Sequence, residues 1–443
     1  MLKRILSKCG VLAIACLSAC SGGGGGISQV PNSIVPAQSP VGASPSNTTS
    51  SRTPDLVATT TTTTTTAPMH VNTADYFRGY AGTFSVPNAT AAQYLTWAET
   101  QDNSGDGLHA VGIKTLEYLD PFRQSTTDPL YNSNASTFAH NCGGSDVIYQ
   151  YVGGTSNVTQ YLMNPGSSAL VTLLNNWEAK QEAAGHIDAF FFDNVDDLYG
   201  TVAPCGMSNA TWDAENETFI QQSAHPVVFS GYALSSDAQS LIKASNVLGG
   251  VVEECYDRVS QPTIPYTTGT YWVQDENLQL AAAAAGKQYF CYNNVYSAGS
   301  SEIPLRKYVY ASFLISYAPA SSVLWESFTT TPSEFHVFPE TTFVPTTPRV
   351  AAPASVNSLV SATGLYFREY ETCYLGGRSV GRCVAIVNPD PSSSRKLPGF
   401  NGGTYSHTLV ISGGGVVDGG TVSASGPAPP ATIPPETGII AIQ

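Results

Sequence analysis

The sequence predicts an α/β protein: a (β/α)8 TIM barrel over residues 71–344, followed by a small C-terminal all-β sandwich over 345–443. Three observations carry this. Eight β-rich segments alternate with amphipathic ones between Ala74 and Phe328, and roughly 250 residues is the usual size of such a barrel. The runs "DAFFF", "PVVF" and "GGVV" are apolar without alternation, as strands covered on both faces must be. Beyond Phe328 helical periodicity disappears, and short strands separated by Gly, Pro and Asn turns take over. The competing fold, a doubly wound open sheet, prefers a phosphate-cradling Gly loop, and the chain has no GxGxxG or P-loop.

In chain order, residues 1–20 read as a signal peptide. Lys3, Arg4 and Lys8 open it, Val11–Leu17 is apolar, and "LSAC" resembles a bacterial lipobox with Cys20 as the lipidated residue. The apolar run is far shorter than the ~20 residues that cross a bilayer. By resemblance to bacterial sorting rules, Ser21 directs the anchored protein to the outer membrane or cell surface. Residues 21–70 hold a run of five Gly and eight consecutive Thr (Thr59–Thr66); they bury nothing and read as a disordered tether.

The barrel strands are expected at Asp75–Gly82, Gly112–Asp120, Gln160–Asn164, Asp188–Asp193, Pro226–Tyr232, Gly249–Glu254, Gln288–Asn293 and Ser322–Ser327. Helices are expected at Ala91–Gln101, Ser168–Ala184, Asp237–Ala244, Tyr271–Ala285 and Leu305–Tyr317. Ser168–Ala184 follows a Pro-Gly turn and a Ser and closes on Gly185, the residues that cap helix ends. In the tail, Leu365–Arg368, Cys383–Val387, Thr408–Ser412, Thr421–Ala424 and Gly438–Ile442 read as strands, with Pro345–Pro353 as the joint.

Composition excludes some roles. Removing the signal leaves 16 basic against 33 acidic residues, a balance of −17, so nucleic acid is not an expected partner. Six Cys remain beyond Cys20, an even number in an exported chain, and read as disulfides. The expected pairs are Cys373–Cys383, flanking a hairpin-like "YLGGRSVGR", then Cys142–Cys205 and Cys255–Cys291. No CxxC and no His pair at ligand spacing occurs, so no metal and no cofactor is expected. A monomer is expected.

In such a barrel, chemistry collects at the carboxyl ends of the strands. Acids recur there: Glu117 and Asp120 in "LEYLDP", Asp193 after "AFFF", Glu253, Glu254 and Asp257 in "VVEECYD", and Glu326 in "LWESF". Asp193 stands out, because an acid directly after three Phe is costly to bury without a use. Asp196 and Asp197 read as loop residues or caps; Asp120 before Pro121 reads as a turn former or a site residue, and Glu326 beside Trp325 as a structural acceptor or a site residue. Carboxylates without basic partners suit glycoside hydrolysis, in which one carboxyl holds a proton and another attacks or activates water. Adjacent strand residues face opposite ways, so at most one of Glu253 and Glu254 aims at the pocket.

Four stretches carry a resemblance: "YLMNPGSSALVTLL", "GHIDAFFFDNVD", "GGVVEECYDR" and "LYFREYETCYLGGRSVGRCVAIVNPDP". With them the chain resembles (β/α)8 glycoside hydrolases related to the polygalactosaminidase-like enzymes and neighbouring glycosyl hydrolase families. The resemblance implies a catalytic Asp at the end of strand four, matched by Asp193, and a Glu at the end of strand six. Aligned on the Cys that Glu is Glu253; aligned on the glycines it is Glu254, the choice taken here. Asp193 is assigned as nucleophile or base, and Glu254 as proton donor. Tyr118, Tyr199, Tyr232, Tyr256, Tyr292 and Trp325 are expected near the strand ends, where aromatics stack on sugars. Asp120, Asn194, Asn293 and Glu326 complete the expected substrate contacts.

The function expected is cleavage of an extracellular or cell-envelope polysaccharide. The alternative from another class is a surface lipoprotein that binds glycan without cutting it. A phosphodiester-cleaving barrel would want paired catalytic His, and none of the seven His pairs at a strand end.

Overall fold

The computed structural model describes residues 69–76, 84–101, 105–153, 156–195, 204–257, 266–295, 302–328 and 335–443, which fall in one compact unit. The signal, the lipidation at Cys20, the tether up to residue 68, and Asp196, Asp197 and Tyr199 lie outside the described residues.

Eight parallel strands close into a barrel in chain order. They are β1 (Thr73–Tyr76), β2 (Trp97–Thr100), β3 (Lys114–Leu119), β4 (Ala189–Phe192), β5 (Val227–Phe229), β6 (Val247–Glu253), β7 (Gln288–Val295) and β8 (Ser322–Phe328). The longer helices are α1 (Ser168–Ala184), α2 (Asn209–Gln221), α3 (Ser236–Leu241), α4 (Gly269–Ala284) and α5 (Ile303–Ile315). The first three are each capped by a Ser (Ser167, Ser208, Ser235) whose side chain accepts a first-turn N–H. Among the described residues no helix is long and apolar enough to cross a membrane.

Two expected elements are corrected. Ala91–Gln101 is not a helix: one helical turn, Asn88–Ala91, is followed by strand β2. Its Ala, Gln and Glu favour helix locally, but Trp97–Thr100 is buried at every position and pairs on both sides, and tertiary pairing overrides propensity. The strand expected second is therefore the third. Gln160–Asn164 is not a barrel strand either. It overlaps Ser156–Leu162, which joins Arg123–Gln124 and Ile148–Gly153 in an antiparallel sheet inserted between β3 and α1. Strands four to eight keep their order.

The glycines of "GGVV" are needed for packing. A Cβ on Gly250 would lie 2.8 Å from Tyr232 Cγ, and one on Gly249 would lie 2.6 Å from the Gln288 carbonyl oxygen. Tyr232 and β7 thus press directly on the β6 backbone.

The C-terminal region is all-β. Its main antiparallel sheet runs β9 (Phe343–Pro348), β10 (Tyr366–Leu375), β11 (Arg378–Asn388), β13 (Thr437–Ile442) and β12 (His407–Thr408) in spatial order, with two two-stranded ribbons beside it. Strand β9 runs into the stretch expected as the joint. One face of the sheet shares a core with α5, through Tyr370, Ala385, Val387, Ile440 and Ile442. The other face buries Leu365, Val384, Ile386 and Ala441 with Tyr405 and Ile433. All three expected disulfides are present: Cys142–Cys205, Cys255–Cys291 and Cys373–Cys383.

Candidate active site

Along each barrel strand, side chains alternate between the bore and the surrounding helix layer. Ala189 and Phe191 of β4, Val251 of β6, Phe290 and Tyr292 of β7, and Val323 and Trp325 of β8 pack together in the bore. Two residues beyond Phe191 the same parity reaches Asp193, only 7% exposed. Two beyond Val251 it reaches Glu253, which is in register with Tyr292, itself in register with Trp325. Glu253 is therefore the bore-facing residue of the Glu253–Glu254 pair. Glu254 follows the strand's end in a left-handed conformation, φ +51°, where strict alternation no longer applies.

Asp193 is held from both sides. The Tyr118 hydroxyl donates to its Oδ2 at 3.0 Å and the Asn194 N–H to its Oδ1 at 2.9 Å. Asn194 sits at φ +56°, a region Asn tolerates better than most residues. Its side-chain amide donates to Asp120 Oδ2 at 2.7 Å. The other Asp120 oxygen accepts the N–H groups of Phe122 at 3.2 Å and Arg123 at 3.0 Å, so the turn-forming role expected of Asp120 is present too. Burial pushes the Asp120 carboxyl up to about 7. Arg123 opposes this, the Asp193 charge adds to it, and the Asn194 amide and Arg123 N–H pull it down. The end of β3 therefore presents a carboxyl that holds a proton near neutral pH beside the carboxylate at the end of β4.

Aromatic rings line the bore beneath these acids. Trp325 meets Tyr76 at 5.0 Å, Tyr292 at 5.4 Å and Phe191 at 5.6 Å between centroids. Glu99 is not legible in the sequence, because its segment reads as helix. It is fully buried, two residues beyond Trp97, in register with Tyr76 and Leu116. Once β2 is recognised as a strand, parity alone puts it on the bore face.

Tyr118, Asp120, Asp193, Asn194, Glu253 and Trp325 thus belong to the bore or its carboxyl rim. Four other residues expected at the site lie in the outer shell. Tyr232 and Tyr256 are core residues between strands and helices, and the Tyr256 hydroxyl donates to Gln279 Oε1 at 3.1 Å. Asn293 and Glu326 are paired in register on the outward face. Asn293 Oδ1 accepts the Tyr256 N–H at 2.9 Å. Burial holds the Glu326 carboxyl well above the usual carboxylate range, with Glu340 adding to it, Arg306 opposing it, and Asp75 adding further. The physical reason is the same for both: each lies one residue from a bore-facing aromatic, Tyr292 or Trp325, and one residue reverses the face.

No protein-family model matches the chain, and a search of the curated proteins finds no match. Solved structures similar to it include the glycoside hydrolase domain of PelA from Pseudomonas aeruginosa, at 12% identity over 59% of this chain and 96% of that one, TM-score 0.40. The α-glucosyl transfer enzyme XgtA is 11% identical over 84% and 98%, TM-score 0.42. The noncanonic maltogenic α-amylase AmyB from Thermotoga neapolitana is 9% identical over 84% and 98%, TM-score 0.41. Similarity this low leaves function to be read from the chain's own residues.

Proposed function

We propose that the chain is a glycoside hydrolase that cleaves an extracellular or cell-envelope polysaccharide by a two-carboxylate mechanism. The observation that carries this is Asp193, oriented by Tyr118 and Asn194 beside a second carboxyl with a raised pKa, Asp120. Asp193 acts as nucleophile or as base for water. The proton donor comes from the end of β6. The bore-facing register favours Glu253, with Glu254 the rival that the glycine alignment prefers. Asp120, with its carboxyl raised to about 7, gives up its proton across neutral pH and shares Asn194 with Asp193. Tyr76 and Tyr118, part-exposed beside these acids, supply the flat apolar contacts that sugar faces need, and the buried Tyr292 and Trp325 support them from below.

In this reading Cys20 carries the lipid and the protein works at the outer membrane or cell surface, tethered through residues 21–70. Three disulfides agree with an oxidising compartment. The test is reducing-end release from envelope and biofilm polysaccharides by the full-length protein and by Asp193→Asn. Release that disappears in the variant supports the reading. Polysaccharide retained without new reducing ends, by parent and variant alike, would leave a glycan-binding lipoprotein instead.

A further inference from the structure

We propose that His109, His186 and Asp188 form a binding site for a borderline transition-metal dication of the Zn2+ class, at the amino-terminal rim of the barrel. The site is independent of the glycosidase reading. His109 ends the one-turn helix before β3, and His186 and Asp188 lie in the link that enters β4. One ligand atom from each lies within 4.8 Å of the others. The two imidazoles stack with centroids 3.4 Å apart and planes 22° from parallel, and His186 Nε2 is 3.7 Å from Asp188 Oδ1.

The backbone around these donors is already fixed. Asp188 Oδ2 accepts the Thr115 N–H at 2.9 Å, which leaves Oδ1 as the oxygen turned toward His186. The His186 N–H donates to Asp106 Oδ1 at 2.9 Å, and its carbonyl accepts the Thr115 hydroxyl at 3.1 Å. Both segments are thus pinned to the start of β3 or to each other. Zn2+ bonds of about 2.0–2.2 Å to nitrogen and oxygen require the donors to close in from their present spacing. The two imidazoles are exposed, so rotation about their side-chain bonds supplies this without moving the backbone.

The donor set selects the ion class. Two imidazole nitrogens and one carboxylate oxygen suit Zn2+ and its borderline neighbours. Mg2+ and Ca2+ prefer oxygen-only cages. Stacked imidazoles repel if both are protonated, whereas a shared dication needs both neutral. Three protein ligands leave further positions to water. Asp188 and Asp193 are five residues apart on one extended strand, roughly 16 Å. The ion therefore acts as a staple between the segments entering β3 and β4, and not on the chemistry at the other rim.

The experiment is Zn2+ titration by calorimetry of full-length protein stripped with EDTA, with melting temperature as a second readout. One ion per chain is expected at this site, with a melting temperature that rises with Zn2+ concentration as linkage requires. Mg2+ and Ca2+ at the same concentrations should not reproduce the rise. His109→Ala and His186→Ala should each weaken binding about tenfold or more. His140→Ala, at a separate surface His–Asp pair, should not. Binding that survives both His109→Ala and His186→Ala in chains with parental circular dichroism overturns the proposal, as does absence of binding in the parent.

Discussion

Strand β4 carries an aspartate at each end, and the two ends behave differently. At the amino end, Asp188 is only half-buried, spends one oxygen on the Thr115 N–H and turns the other toward exposed imidazoles. At the carboxyl end, Asp193 is 7% exposed and gripped by Tyr118 and Asn194, and its charge adds to the burial that raises the Asp120 carboxyl. The residue type is the same, and the strand between them is four aromatic or small apolar residues. What differs is the neighbourhood that each rim assembles from other strands. A carboxylate takes its chemistry from that neighbourhood.

The strongest way to break the contrast is to neutralise each end. Asp193→Asn should lower polysaccharide cleavage on the order of 10⁴-fold, with the melting temperature nearly unchanged; an equal loss from Asp188→Asn would erase the distinction between the rims. Next comes the choice on β6. Glu253→Gln should cost about 10²–10⁴-fold in turnover; if Glu254→Gln carries that loss instead, the left-handed turn and not the strand register aims the donor.

Asp120 gives a smaller effect with a definite sign. Its carboxyl titrates near 7 in the folded chain and near the ordinary carboxylate value when unfolded. The folded state therefore binds this proton more tightly. That stabilisation is fully present at acid pH below the unfolded value and is lost as pH rises through about 7. Melting curves from about pH 4 to 8 should be flatter for Asp120→Asn than for the parent; equal slopes would remove Asp120 as the group responsible. The least change in turnover is expected from Cys255→Ala with Cys291→Ala. It removes the bridge between the end of β6 and β7 and should cost about 2–4 kcal/mol of stability, read by denaturant titration.

Much of the barrel is legible because apolar, unalternating runs such as "AFFF" and "VVF" fit little else than a doubly covered parallel strand. Asp193 is legible for the same reason, since the run before it makes an idle acid expensive. The face of a residue is harder. Whether Glu253 or Glu254, Tyr292 or Asn293, Trp325 or Glu326 points inward depends on the register of neighbouring strands, and one step inverts it. Glu99 was hidden by a stretch with helical composition that pairs as a strand. His109 and His186 are far apart in sequence and meet only because β3 and β4 are neighbours in the barrel.

Helix α5 buries ten of its thirteen residues, so it has no wet side. A helix like that needs cover all round. The barrel supplies one flank and the β10, β11 and β13 sheet another, so tightly that a methyl on Gly438 would lie 2.6 Å from the Lys307 carbonyl oxygen. Cutting the chain ahead of Phe343 would strip that cover and leave the apolar surface around Ala311 facing water, a surface prone to aggregation. The tail thus serves the barrel as a matched lining, and a shortened protein should be recovered from inclusion bodies, not from the soluble fraction.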